Sequence, residues 1–368
     1  MLTPGSVLAW GAGASGQLGR GTRTEVNPDP APVLDLPAAD VLRIAVGGVT
    51  PDNGFALALR RDGRVLAWGE NLNGQLGDGT TADRSRPAPV DRLDGVVEIA
   101  AGGAHALVLL HDGTVRTWGD NAHGQLGAGV PGRDRTTPGP VAGLTGVRRI
   151  AAGGDFCLAL LADGTVRAWG RGIHGQLGSG SRGGNKAPRP VRDLDGIVDL
   201  AAGTGHALAL TAAGTVRSWG LGRHGQLGDG RRADSTTPVD VPGPTGVTSI
   251  ATGAHHNHAR AADGRVWAWG DDRYGQLLTD EEEFAPGWPR SRADRALPVE
   301  ASRLRGCLAV DGGARHGVAL FADSLTTWGD NRYGQLGDGT TTPGLRRLPA
   351  TGFTHVAAGR GGGATYAL

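Results

Sequence analysis

The chain has 368 residues with 37 Lys plus Arg against 36 Asp plus Glu, so no net field draws it to nucleic acid or to an acidic membrane, and any partner is recognised locally. Only Lys186 of those cations is a lysine, and with 66 glycines the composition points to a high-GC bacterial genome. Met1 to Trp10 carries neither a basic nor an apolar leader region and no stretch approaches about eighteen apolar residues, which gives the expectation of a cytoplasmic protein with no membrane partner.

Self-similarity organises the rest. Trp-Gly recurs at Trp10, Trp68, Trp118, Trp169, Trp219, Trp269 and Trp328, and six residues after each Trp comes Gly-Gln-Leu. Four of the six spacings are 50 or 51 residues, a period that belongs to radial repeats.

In chain order, Ser6 to Trp10 reads as the third strand of a unit whose first two strands lie at the other end, in residues 353–368. The second full unit shows the pattern: strand A at Val97 to Ala101, strand B at His105 to Leu110, an Asp112-Gly113 hairpin, strand C at Val115 to Trp118, and an edge strand D at Pro138 to Val141. In strand B, Leu107 and Leu109 share one face while Ala106 and Val108 share the other, so large side chains of one sheet meet small ones of the next. The prediction is an all-β, seven-bladed β-propeller of four-stranded antiparallel blades, with residues 1–368 as a single domain. Its last blade is made of 353–368 plus 1–34, closed by N- and C-terminal strands, which leaves no open sheet edge.

The run I-A-A-G-x-x-H-x-L-x-L, then D-G-x-V-x-x-W-G, then G-Q-L-G-x-G resembles the regulator of chromosome condensation repeat over essentially the whole chain. That resemblance implies the seven-bladed fold, but one fold hosts many functions and it fixes no activity.

A residue needed in every blade is explained by building blades, so the seven Trp-Gly and Gly-Gln-Leu elements read as scaffold. The same holds for the histidine position shared by His105, His206, His256 and His316, which Phe55 and Phe156 fill elsewhere. Function is expected where the repeat breaks. Blade 5 breaks it most, with His255-His256-Asn257-His258-Ala259-Arg260 in place of Ala104-His105-Ala106-Leu107-Val108-Leu109. It also carries Leu278 where a loop glycine belongs, and eight extra residues within an acidic run that contains Phe284 and Trp288.

The A–B and C–D connections emerge on one face of a blade, which places these features and the lengthened A–B loops of blades 1 and 7 on one rim. The binding candidates are His255, His256, His258, Arg260, Phe284, Trp288, Asp311, Arg315, His316, Asp155 and Arg360. Asp311 replaces an innermost-strand alanine and is the expected counter-charge of Arg260. His256 and His258 stand at a spacing that can ligate zinc, but no third ligand is evident; no P-loop, G-x-S-x-G or H-E-x-x-H occurs, so neither metal nor cofactor is expected.

The reading is a non-catalytic protein-binding module that offers one loop face of a rigid propeller. The alternative is a small-molecule enzyme, a cyclase, isomerase or lyase, with a polar pocket at the channel mouth near blade 5 and His256, His258, Arg260 or Asp311 as acid–base groups.

Overall fold

The computed structural model describes residues 5–50, 52–130, 132–279 and 293–368, and Phe284 and Trp288 lie outside them. Seven four-stranded antiparallel sheets form the blades of a propeller. Blade 2 runs Val96–Ala101, His105–Leu110, Val115–Gly119 and Arg135–Pro140. Its B–C hairpin is tight because Gly113 takes φ +77° and the Asp112 carboxylate accepts both the backbone N–H and the hydroxyl of Thr114.

The closing blade joins the two ends as the sequence predicts. Val356–Ala358 and Ala364–Ala367 supply strands A and B, while Ser6–Ala12 and Val26–Pro37 supply C and D. Leu8 pairs with Ala367 and Trp10 with Thr365.

Large and small side chains alternate between blades. Leu107 and Leu109 pack with Ile150, Cys157 and Ala159 of blade 3, whereas Ala106 and Val108 meet Leu57 and Leu59 of blade 1. Each fully buried leucine of this kind contributes roughly 1.5–3 kcal/mol.

The repeated Trp and Gln form one linkage. Each of the seven Trp-Gly indole N–H groups donates to the carbonyl of the preceding blade's Gly-Gln-Leu glutamine, from Trp68 to Gln17 at 2.8 Å around to Trp10 and Gln335 at 2.9 Å. Each glutamine side chain also accepts the backbone N–H two residues before it, as Gln125 does from His123 at 2.9 Å. The scaffold assignment of these motifs therefore has a physical content: they tie blade to blade.

Candidate functional site

The repeat histidines occupy the seams between blades. His206 Nε2 lies 2.7 Å from Asn257 Oδ1, His316 Nε2 lies 2.9 Å from Thr365 Oγ1, and His105 Nε2 lies 3.2 Å from the Cys157 sulfur. Asn257, Thr365 and Cys157 each donate onward to a glutamine carbonyl, so each histidine must be the donor and carries its proton on Nε2. Burial holds these rings neutral, pulling His206 down to about 3 and His105 and His316 to about 4.

Blade 5 departs from this pattern. The residue facing His256 is Gly317, and neither ring nitrogen of His256 has a hydrogen-bond partner among the described residues. A Cβ built at Gly317 would stand 2.3 Å from Cζ2 of Trp328, so the indole covers the space that a side chain fills in the other seams. Leu278 explains why. It occupies the loop position that is glycine elsewhere, at φ +51°, and packs against Trp328; at Gly127 a Cβ would already come within 3.0 Å of Trp169 Nε1. The missing side chain at 317 thus accommodates the extra one at 278.

His258 fills the first of the two strand B leucine positions, that of Leu107, and meets Trp328 edge-on, with ring centroids 5.7 Å apart. His256 and His258 lie 5.3 Å apart, and both are fully buried, as is His316. In this packing none of the three is available to a protein partner, contrary to their place among the rim candidates. Among the described residues no three His, Cys, Asp or Glu side chains gather as a metal site.

The expected Arg260–Asp311 pair does not form. Arg260 is half-buried near the B–C end of its strand, where its charge faces Cys307 and works against the burial that raises that thiol to about 11. Asp311 is on the axis instead. It replaces the inward alanine of strand A and accepts the backbone N–H of Gly312 at 2.9 Å and of Ala358 at 3.0 Å. Its counter-charge is Arg360, which lowers its pKa against the larger raising effect of burial. Arg260 and Asp311 both depart from the repeat, but a position in the repeat does not say which neighbour lies across the axis.

Arg360 crosses that axis from blade 7, donating to the carbonyls of Ala152 in blade 3 at 3.1 Å and of Thr252 in blade 5 at 3.3 Å. Beside it only about 10 Å³ remains at the loop end of the channel. The rest of the channel is a cavity of about 260 Å³ lined by innermost strands from all seven blades, with Arg43, Glu98, Asp199 and His355 toward its other end. Glu98 is raised by burial to about 7 against the opposing charges of Arg43, 3.5 Å away, and Arg149. The enclosed space therefore lies on the axis, away from the blade 5 rim, with Arg360 filling the loop-face mouth.

The loop face holds a second cluster. Hydrogen bonds from Asp271 N to His255 O and from Asp330 N to Arg315 O tie each A–B loop to the C–D loop beside it, which fixes their common face. Tyr274 carries two guanidiniums over its ring, Arg315 at 4.8 Å and Arg332 at 5.4 Å. Arg332 also donates through Nε and Nη2 to Asp330, and Arg273 does the same to Asp271, both carboxylates being buried. Burial raises Asp271, yet the hydrogen bonds and charge of Arg273 outweigh it and hold the carboxyl at about 2. The His255 and His224 rings lie tilted at 37° with centroids 5.4 Å apart, and Asp155 accepts a hydrogen bond from Arg171 at 3.0 Å.

Of the rim candidates, His255, Arg315 and Asp155 reach this face. Arg273, Tyr274 and Arg332 were missed, although the signal was present: the same loop position reads Ala14, Leu72 and Ala122 in blades 7, 1 and 2 but Arg223, Arg273 and Arg332 in blades 4 to 6.

The model of the RCC1-like domain matches residues 80–366, and that of the regulator of chromosome condensation (RCC1) repeat matches residues 4–49 and 53–75. The chain belongs to the RCC1-like domain family. Prp20p of Saccharomyces cerevisiae is similar over 100% of this chain and 92% of its own, with TM-score 0.85 and 25% identity. Human WBSCR16 is similar over 98% and 99%, with TM-score 0.83 and 25% identity. The Ultraviolet-B receptor UVR8 of Arabidopsis thaliana is 34% identical over 151 residues, 40% of this chain and 33% of that protein. The human E3 ubiquitin-protein ligase HERC2 is 36% identical over 186 residues, 49% and 4%. This RCC1-like chain matches a third or less of the length of these curated relatives, which are plant and human proteins rather than bacterial ones.

Proposed function

We propose that this RCC1-like propeller is a non-catalytic binding module that presents its A–B and C–D loop face to a protein partner. The observation that carries this reading is the cluster in blades 5 and 6. Tyr274 between Arg315 and Arg332 is an aromatic and arginine surface of the kind that dominates binding energy at interfaces. It is held in place beforehand by buried carboxylates, so little side-chain entropy is lost on docking. The similar yeast protein Prp20p has binding properties to Gsp1p and histones, which supports a protein-binding role for the shared fold. The two cysteines are buried and free, which supports a reducing compartment, the cytoplasm, and the lysine-poor composition supports a bacterial source.

Proximity labelling in the native cell tests the face. Proteins captured by the wild type should be lost with Tyr274→Ser/Arg315→Ser/Arg332→Ser and retained with Arg148→Ser, an exposed position on the opposite side. The reverse outcome moves the interface to the other face.

One observation favours a small-molecule role: the 260 Å³ axial cavity lined in part by Glu98, whose pKa near 7 suits proton transfer. Loss of a cellular activity in Glu98→Gln, with the loop-face variant unaffected, would select that reading.

A further inference from the structure

Resting on the loop-face reading, we infer that the blade 4 to 6 half of this face recognises an acidic segment of the partner, taking its carboxylates on Arg223, Arg273, Arg315 and Arg332 with Tyr274 as the platform between them. The face is divided. Arg223, Arg273 and Arg332 follow Trp-Gly at the same interval at which blades 7, 1 and 2 carry alanine or leucine, so three adjacent blades carry an arginine at the equivalent loop position.

Their chemistry is directed outward. The carboxylates that pair with Arg273 and Arg332 lie beneath them, each only 2% exposed, while the arginine side chains are 47% and 52% exposed. Each of these guanidiniums turns Nε and Nη2 toward its aspartate and keeps Nη1 for a ligand. Among the described residues no carboxylate lies within ion-pair distance of Arg223 or Arg315, and Arg315 is positioned by the Tyr274 ring instead. An array of oriented forks matches carboxylates, which accept two parallel N–H donors.

A nucleic acid fits less well. Its affinity comes from many phosphate contacts in a strongly basic field, whereas this chain has a net charge of +1 and half of these arginines are already neutralised from below.

The test uses fluorescence anisotropy on the full chain with short labelled peptides of alternating alanine and glutamate, alanine and lysine, or alanine and glutamine, and with a short single-stranded DNA. The glutamate peptide should bind, more weakly as salt rises, and Arg223→Ser/Arg315→Ser should weaken it by about tenfold or more. That variant leaves no buried carboxylate unpaired, so folding is preserved. Arg148→Ser, an exposed position on the opposite face, should bind like the wild type. Absence of glutamate-peptide binding, binding unchanged by Arg223→Ser/Arg315→Ser, equal binding of the lysine or glutamine peptide, or stronger binding of the DNA would overturn the inference. The loop-face reading fails separately: if the labelled partners persist in the Tyr274, Arg315 and Arg332 variant, the face is wrong; if they are lost and the glutamate peptide still does not bind, only the acidic chemistry is wrong.

Discussion

His206 Nε2 and Asn257 Oδ1 are joined at 2.7 Å across the blade 4–5 seam, and the corresponding partner one seam further is Gly317, which has no side chain to offer His256. Gly317 is instead coupled to Leu278 through the Trp328 indole. Gly317→Ala alone should destabilise the fold by about 1–3 kcal/mol, because its methyl group would overlap the indole. Adding Leu278→Gly, the residue of the other blades, should recover about 1 kcal/mol or more of that loss. Urea titration of the two single variants and the double variant measures the coupling, and strictly additive losses would separate the two positions.

Asp311 and Arg360 give a sharper energetic contrast. Arg360→Met removes the charge that opposes the effect of burial at Asp311 and should lower stability, while Arg360→Met combined with Asp311→Ala restores an alanine ring and should lie closer to wild type. A double variant as unstable as the single would show that the Arg360 bonds to Ala152 and Thr252, rather than its charge, hold the axis together.

The pH dependence of stability contains two opposing contributions. Glu98 has a folded pKa of about 7, above its ordinary value of 4.5, so the folded state holds that proton more tightly than the unfolded chain does. Its contribution is full below about pH 4.5 and is lost as pH rises through 7. Glu98→Gln should therefore abolish a fall of about 2–3 kcal/mol between those limits. Denaturant midpoints of wild type and variant at pH 4.5 and 8 give the difference, and parallel profiles would remove Glu98 as the titrating group.

The seam histidines act with the other sign. Their folded pKa values are depressed, so their contribution is full above the unfolded value of 6.5 and is lost as pH falls through about 4. His258→Leu, which restores the usual seam residue, should shift the acid unfolding midpoint downward. Circular dichroism from pH 7 to 3 reads that shift, and an unmoved midpoint would show that His258 does not limit acid stability.

The fold was legible because each strand appears seven times with its turn residues, and because Ser6 to Trp10 and Tyr366 to Leu368 are complementary fragments of one unit. The site was legible only in part. Departures from the repeat marked His258, Arg260 and Asp311, but alternation along a strand does not distinguish a seam from a rim, and the two blade 5 histidines proved to be interior. Gly317 escaped notice because the loss of a methyl group carries no chemical signal until Trp328 is seen above it. The arginines beside Tyr274 are ordinary loop residues taken singly. They become a surface only when adjacent blades bring Arg273, Arg315 and Arg332 together.

Hydrogen–deuterium exchange with and without a partner recovered by labelling tests the central claim most directly. The loop-face account predicts slowed exchange in 271–275, 313–316 and 330–333, with no change at 42–43, 97–98 and 148–149. Protection confined to the latter three segments would contradict it.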